Sequence, residues 1–128
     1  MMILLASAVL CMNLTVYFEA RGESDLGQQS VAQVIFNRSI QQHSPICSVV
    51  YAKHQFSWTA HHPPKPKESN PDWQRVQRNV KIVLEKHQQT NVLYFKNIHC
   101  KRVISTKIVS TGIIGKHIFY RNLISKTN

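Results

Sequence analysis

The first part of the chain, Met1 to Phe18, contains no charged side chain, and Glu19 follows it directly. The run is rich in Leu, Ala and Met, which favour helix, and it has no Pro and no Gly before Gly22. A helix that is apolar on all sides has to bury nearly all of its surface. We therefore expect a core helix from Met1 to Arg21, with Glu19 close to its end.

Two other interpretations of this run are a signal peptide and a membrane span. A signal peptide begins with a basic region, and no Lys or Arg precedes the apolar residues. The uncharged stretch is borderline in length for a membrane span, and it contains Asn13, Thr15 and Tyr17. The sequence favours the buried helix and predicts no stable membrane insertion, with a cleaved or anchoring segment as the alternative.

The charge balance restricts the partners of the chain. Its 128 residues, of which 43% are apolar, suit one domain with a real core, so we expect residues 1–128 to form a single domain. Sixteen Lys and Arg against six acidic residues give a net charge of +10, which favours polyanionic partners such as nucleic acid, anionic lipid or cell-wall polymer. The basic residues are spread along the chain without a helix-turn-helix or RNP pattern, so no nucleic-acid partner is expected.

Cysteine and histidine spacing gives no framework for metal or disulfides. The three cysteines, Cys11, Cys47 and Cys100, are odd in number, and none of them form a CxxC pair. Reduced, buried thiols are the default expectation, and a Cys47–Cys100 bridge is possible only outside the cytosol. The seven histidines show no HExxH or regular His/Cys pattern, so no metal and no cofactor is expected.

The rest of the chain predicts further helices followed by short strands. A second helix is expected from Leu26 to Ser39, capped by Ser24 or Asp25. The segment "CSVVYA" reads as a strand or a brief helix, and the Pro-rich stretch "HQFSWTAHHPPKPKESNPDW" as a loop. A helix with Asp72 as its N-cap follows, with an apolar face formed by Trp73, Val76, Val80, Val83 and Leu84. Three strand-like segments come after it, "TNVLYFKN", "RVISTKIVS" and "KHIFYR". The predicted fold class is α+β, mainly helical, with one core.

Glu19 has the local sequence of a general acid. A carboxyl group held against apolar and aromatic side chains is poorly hydrated, which raises its pKa. An ion pair with Lys or Arg is the ordinary alternative, and the residue types alone favour it. Glu23 lies four residues further on, but Gly22 is expected to end the helix, and two acids on one helix would approach a sugar from the same side. Glu23 is therefore predicted to cap the second helix or to bind Arg21 or Arg38.

The segment "QFSWT" has the composition of a sugar-binding edge. Trp58 could stack on a sugar ring while Gln55, Ser57 and Thr59 bind hydroxyl groups. An ordinary core tryptophan is the alternative, and it is a common fate for this residue type.

Three blocks, in this order, closely resemble the SleB-like cell-wall hydrolase family of spore-cortex-lytic enzymes and phage lysins. They are "YFEARGES…GQQSVAQVIFNR", "C…VVY…QFSWT" and "IGKHIFYR", and the resemblance runs from about Leu10 to Arg121. It implies a compact lysozyme-like fold and a lytic transglycosylase that cleaves peptidoglycan between N-acetylmuramic acid and N-acetylglucosamine. It also implies a monomer that acts at the cell wall, in the periplasm or outside the cell.

The resemblance assigns roles to individual residues. Glu19, in the "EARGE" motif with Arg21 and Glu23, is the expected catalytic acid. The substrate groove is expected to be lined by the "QFSWT" residues and Tyr94, with the C-terminal block closing the site: Gln55, Phe56, Ser57, Trp58, Thr59, Tyr94, Gly115, His117 and Tyr120.

The chain also departs from the family pattern. Many relatives have a second cysteine just before "QFSWT", where this chain has His54, so the usual partner of Cys47 is missing. Where relatives often carry a Pro-x-Trp, this chain reads "CKRVIS". The lack of a signal peptide, wall-binding repeat or prodomain fits a phage endolysin, which would reside in the host cytoplasm before release. Two alternatives to a transglycosylase are a muramidase that uses water and a non-catalytic basic module that binds wall polymer or nucleic acid.

Overall fold

The computed structural model describes residues 2–100 and 107–123, with side chains from Ala6 onward. Within these ranges the chain forms four α-helices, one short 3-10 helix and a three-stranded sheet. The helices are α1 (Met2–Ala20), α2 (Asp25–Gln42), α3 (Ile46–Val50) and α4 (Pro71–Lys86), with the 3-10 helix at Ser57–His61. The strands are β1 (Val92–Asn97), β2 (Ile108–Ile114) and β3 (His117–Asn122). The predicted α+β, mainly helical class is confirmed.

Helix α1 is the centre of the helical layer, as its uncharged sequence predicted. Met12 and Val16 are fully buried, and α1 packs against α2, α3 and α4. The hydroxyl of Thr15 donates to the Cys11 carbonyl at 2.8 Å, so this buried polar group is satisfied within the helix. Among the described residues, no helix has the length and apolar character needed to cross a membrane.

Helix α2 begins where the sequence predicted. Ser24 is the N-cap, and its hydroxyl accepts a hydrogen bond from the Gly27 amide at 3.1 Å. The helix runs three residues beyond the predicted end at Ser39 and stops at His43, which has a left-handed backbone with φ 52°. The ambiguous segment "CSVVYA" contains the brief helix α3, not a strand.

Helix α4 begins earlier than predicted, and Asp72 as its N-cap is wrong. Asn70 is the cap, because its side-chain oxygen accepts from the amides of Asp72 and Trp73 at 2.9 and 3.2 Å. Pro71 then takes the first helical position, where a missing amide proton costs nothing. Four of the five residues of the predicted apolar face, Trp73, Val76, Val80 and Val83, are buried, and Leu84 is half-buried against the core.

The sheet has the order β1–β3–β2, with both pairs antiparallel. The predicted segment "TNVLYFKN" contains β1, and "KHIFYR" covers β3 except for its last residue, Asn122. The third predicted segment, "RVISTKIVS", lies partly outside the described residues, and the end of it that is described belongs to β2. Most of "CKRVIS", where the chain departs from the family pattern, also lies outside the described residues. In the β1–β3 register, Asn97 pairs with His117, which fixes where β3 starts relative to the end of β1.

A disulfide joins Cys11 of α1 to Cys47 of α3, with 5.4 Å between the Cα atoms. The expectation of reduced thiols is therefore wrong, and so is the Cys47–Cys100 pairing, because Cys100 is free and exposed. The two sulfur atoms meet because α3 packs against α1, a contact that neither cysteine spacing nor composition reveals. The bridge closes a segment with a sequence separation of 36 that contains Glu19 and Glu23.

We expect Cys47→Ser to lower the free energy of unfolding. Cross-linking a loop of this size restricts the unfolded chain, an effect typically worth about 2–4 kcal/mol. Chemical denaturation under non-reducing conditions measures the loss, and Cys100→Ser, which removes the exposed free thiol, is the matched control. Equal stability of the two variants would contradict a stabilising bridge.

Candidate active site

Glu19 lies in the last turn of α1, at the wall of a cavity of about 160 Å³. The lining comes from residues 18–23 and from three residues of the sheet region, Asn97, Lys116 and His117. Residues 18–23 therefore meet Asn97, Lys116 and His117, which lie far later in the sequence. The cavity brings together four residues of the predicted site, Glu19, Arg21, Glu23 and His117.

Burial raises the pKa of Glu19 to about 7. No hydrogen bond or ion pair joins the Glu19 carboxyl group to any other described residue, so the alternative of an ion pair with Lys or Arg is not found within the described ranges. Without a hydrogen-bond donor or a cation beside it, the ionised carboxyl group is not stabilised by the protein. Partial loss of water then disfavours the anion. Near neutral pH this group can both give up and accept a proton.

A buried amide network fixes the end of α1. The Gln28 side chain, which is fully buried, donates from Nε2 to the carbonyls of Ala20 and Arg21, both at 3.2 Å. Its oxygen accepts from Asn79 Nδ2 of α4 at 2.8 Å. Gln28 thus satisfies carbonyl groups that the helix leaves free at its C-terminal end. The network ties the Glu19 end of α1 to α2 and α4.

The turn between α1 and α2 is held from α4 as well. Arg75 donates from Nη2 to the carbonyl of Glu23 and from Nε to Asp25 Oδ1, both at 2.8 Å. Asn79 adds a hydrogen bond to Asp25 Oδ1 at 3.0 Å. Because these bonds hold the Glu23 carbonyl and the Asp25 side chain on either side of Ser24, the side chain of Glu23 starts from a defined position.

The Glu23 carboxyl group binds the turn between β2 and β3. Its Oε1 accepts from the Lys116 amide at 2.7 Å and lies 3.3 Å from Nδ1 of His117. The predicted roles of Glu23 are therefore wrong: Ser24 caps α2, and no ion pair forms with Arg21 or Arg38 among the described residues. Only 12% of the Glu23 side chain is exposed, so most of its surface contacts protein.

His117 stands between this carboxyl group and the aromatic core. Burial lowers the pKa of His117, and the nearby Glu23 carboxyl opposes that shift without cancelling it. Its ring also packs edge-on against Phe95, with 5.2 Å between centroids. The neutral imidazole thus forms a fixed wall of the cavity.

Gly115 allows the close approach of Glu23 to the turn. Its φ of 57° is left-handed, and a Cβ atom built there would lie 2.9 Å from Glu23 Cδ and closer still to a carboxyl oxygen. Both the backbone angle and the space require glycine. These two constraints explain why a glycine stands at this turn.

The "QFSWT" residues lie beside the cavity lining and are not part of it. Phe56 is buried and stacks on Phe95, with 6.0 Å between centroids, behind His117. Trp58 packs on Phe18, a lining residue, with 5.2 Å between centroids. Thr59 donates its hydroxyl to the Phe56 carbonyl at 2.7 Å. The two remaining members, Gln55 and Ser57, are exposed.

The two predicted groove tyrosines lie away from the cavity. Tyr94 and Tyr120 pair across β1 and β3, and strand alternation puts them on the sheet face opposite Phe95 and His117. The Tyr94 ring lies under the Arg38 guanidinium, 5.5 Å from its carbon, and the Tyr120 ring lies 6.0 Å from Lys96 Nζ. Neither tyrosine lines the cavity at Glu19.

Sequence reasoning missed Lys116 and Asn97, which both line the cavity. The position of Lys116 between Gly115 and His117 in the third block was an available signal, whereas nothing local marks Asn97. A larger cavity of about 540 Å³ lies between α1 and α4, but Lys65 is its only charged lining residue among those described. Within the described ranges no three His, Cys, Asp or Glu side chains gather as metal ligands. Of the two cavities, only the smaller has carboxyl groups and a histidine among its described lining residues.

Comparison with known proteins places the chain in a family. Residues 22–120 match the model of a family described as Cell Wall Hydrolase. The structure is similar to the catalytic domain of the germination-specific lytic transglycosylase SleB from Bacillus anthracis, with a TM-score of 0.68 at 26% identity, over 88% of this chain and 92% of that one. It is also similar to the catalytic domain of the Bacillus cereus SleB protein, with a TM-score of 0.67 at 27% identity, over 88% of each chain. No curated protein matches the chain significantly.

These likenesses support the predicted lysozyme-like fold and extend over most of the chain. The family match begins at Gly22, three positions after Glu19. The assignment of Glu19 therefore depends on the cavity and on its pKa, not on the matched segment.

We expect Glu19→Gln to stabilise the protein in a pH-dependent way. The unfolded pKa is 4.5 and the folded pKa about 7, so as pH rises between these values the unfolded state loses its proton first and the folded state loses stability. Glutamine avoids that cost, which reaches about 2–3 kcal/mol above pH 7. Thermal unfolding of both proteins from pH 4 to pH 8 should show the variant gaining on the wild type across this window. A constant difference would contradict a buried acid, and Glu85→Gln, exposed on α4, is the control.

Gly115→Ala should lower the free energy of unfolding by about 1–3 kcal/mol, because a left-handed alanine is strained and its methyl group collides with the Glu23 carboxyl. Gly22→Ala is the matched control, since no atom lies within 4 Å of the added methyl group. Combining Gly115→Ala with Glu23→Ala should recover part of the loss in a denaturation double-mutant cycle. Strict additivity would show that the two side chains do not interact.

Proposed function

Because the chain belongs to the cell wall hydrolase family, we propose that it degrades peptidoglycan as a lytic transglycosylase. Residues 1–128 act as one catalytic domain, as a monomer, on glycan strands at the bacterial cell wall. The observation that carries the proposal is the unpaired Glu19 carboxyl group in its cavity, with a pKa of about 7. The similarity to SleB catalytic domains supports the reaction type, because one of these proteins is a germination-specific lytic transglycosylase.

Glu19 serves first as an acid and then as a base. It protonates the oxygen of the glycosidic bond between N-acetylmuramic acid and N-acetylglucosamine, and the N-acetylglucosamine side leaves as an alcohol. The Glu19 carboxylate then takes the proton from the C6 hydroxyl of the muramic residue as that oxygen bonds to C1. The product ends in a 1,6-anhydro ring, and the proton count of Glu19 returns to its starting value. A pKa near 7 suits both steps.

The contacts of Glu23 support a mechanism with one acid. A glycosidase with two carboxyl groups needs the second one free to attack the sugar or to activate water. Glu23 instead accepts the Lys116 amide at 2.7 Å and is 12% exposed. An intramolecular hydroxyl nucleophile removes the need for a second catalytic carboxyl group. A muramidase that hydrolyses the same bond is the alternative reaction.

The disulfide is consistent with action at the wall. Disulfides persist in secreted, periplasmic and surface proteins and are rare where glutathione and thioredoxin keep thiols reduced. The Cys11–Cys47 bridge closes the segment that carries Glu19. The net charge of +10 adds attraction to the carboxylates and phosphates of wall polymers.

We expect Glu19→Gln to reduce the lysis of purified peptidoglycan by about 10²–10⁴-fold, because glutamine keeps the shape of the side chain but cannot deliver a proton. Turbidity loss measures the rate, and the circular dichroism spectrum checks folding. Mass spectrometry of the wild-type digest should show muropeptide ends lighter by one water than hydrolysed ends.

Each failure points to a different correction. Ends of hydrolysed mass would indicate a muramidase. Near wild-type lysis by folded Glu19→Gln would remove Glu19 from its role. An absence of lysis by the wild type, with binding to the wall retained, would indicate the non-catalytic basic module.

A further inference from the structure

Lys116 is held by its backbone at the edge of the cavity. Its amide donates to Glu23 Oε1 at 2.7 Å, and its carbonyl accepts from the Ile98 amide at 2.8 Å. Gly115 provides the left-handed turn just before it. Because both main-chain groups are bonded to different parts of the fold, the start of the Lys116 side chain has a defined place beside Glu19.

The Lys116 side chain itself is exposed, and its ammonium group makes no ion pair or hydrogen bond with any other described residue. The carboxyl group of Glu23 contacts the Lys116 amide and His117, and its side chain is largely covered by protein. The second cation of the lining, Arg21, is tied to Tyr17: it donates to the tyrosine oxygen at 3.4 Å, and its guanidinium lies 5.4 Å from the ring centroid. The open edge of the cavity is therefore positive, while its acids point inward.

We propose that Lys116 is a specificity-determining residue whose ammonium group binds a carboxylate of the peptide stem on the muramic residue next to the scissile bond. The inference rests on the proposed function and names the substrate class: glycan strands that carry stem peptides. In a strand that carries stem peptides, the lactyl carboxyl group of each muramic residue is bonded to its peptide as an amide, so the sugars are uncharged and a cation gains little from them. The stem peptides, attached through the lactyl group of the muramic residue, carry the carboxylates that an ammonium group would select.

The experiment compares two substrates that share one glycan backbone: strands with their native stem peptides and the same strands after carbodiimide coupling to ammonia has converted the stem carboxylates to neutral amides. The variant is Lys116→Met, which keeps the length of the side chain and removes the charge. The readout is the ratio of kcat/KM on native strands to kcat/KM on amidated strands. Lys86→Met, at an exposed position near the far end of α4, is the matched control for net charge.

Lys116→Met should lower that ratio by about three- to tenfold, mainly through KM, since a partly exposed charged contact is worth on the order of one kcal/mol. Lys116→Arg should restore most of the ratio, and Lys86→Met should leave it at the wild-type value. The pH profile of kcat should stay in place, because the proton transfer belongs to Glu19.

An unchanged ratio, or an equal loss on both substrates, would overturn the inference while leaving the proposed function in place. A shifted pH profile with an equal loss would assign Lys116 to the electrostatics of Glu19 instead. Wild-type protein that cleaves neither substrate would overturn the proposed function and this inference with it.

Discussion

The cavity depends on one hydrogen bond, from the Lys116 amide to the Glu23 carboxyl group at 2.7 Å. It joins residues 93 positions apart, the turn after α1 and the turn between β2 and β3. The contact of 3.3 Å between Glu23 Oε1 and His117 Nδ1 is a second polar link between the same two parts of the chain. A charge-assisted bond of this kind is about twice as strong as a neutral one. The bond therefore helps to position Lys116 and His117, which line the cavity with Glu19.

On the helical side of the cavity, two buried amide side chains fix the end of α1. Gln28 and Asn79 are both buried, and each uses its amide group to satisfy a group on another helix. Leaving a buried donor or acceptor unpaired costs about 1–3 kcal/mol, so such a network specifies a single arrangement. The end of α1 is thereby fixed by protein, and Glu19 remains without a partner in the same turn.

Local signals in the sequence were sufficient for the helices and insufficient for the contacts between distant segments. The uncharged run predicted α1 and the place of Glu19, and the Ser24 cap and the apolar face of α4 follow from short patterns. Asn70 and Asp72 are both good caps, and only the position of Pro71 decides between them. The Cys11–Cys47 bridge needs the packing of α3 on α1, which no spacing rule contains.

The outcome for the two tyrosines shows why strand faces are hard to predict. Side chains alternate along a strand, so a residue's face is set by register, and a shift of one position reverses it. His117 and Tyr120 are three positions apart on β3 and therefore lie on opposite faces, although both belong to the block "IGKHIFYR" that resembles the family. A block of sequence can thus resemble a family as a whole while only some of its members reach the site.

Glu19 and Glu23 show how the backbone separates the roles of two like residues four positions apart. Glu23 accepts a hydrogen bond from the Lys116 amide, which holds its carboxyl group at the turn between β2 and β3. Glu19 meets no donor among the described residues, and loss of water raises its pKa. Glu23 is therefore an anchor, and Glu19 suits the proton transfer that we propose for it. In the proposed reaction the nucleophile comes from water that another group activates or from the substrate itself, because Glu23 is already bound. An attacking hydroxyl on the muramic residue fits a site in which a single carboxyl group is free to move a proton.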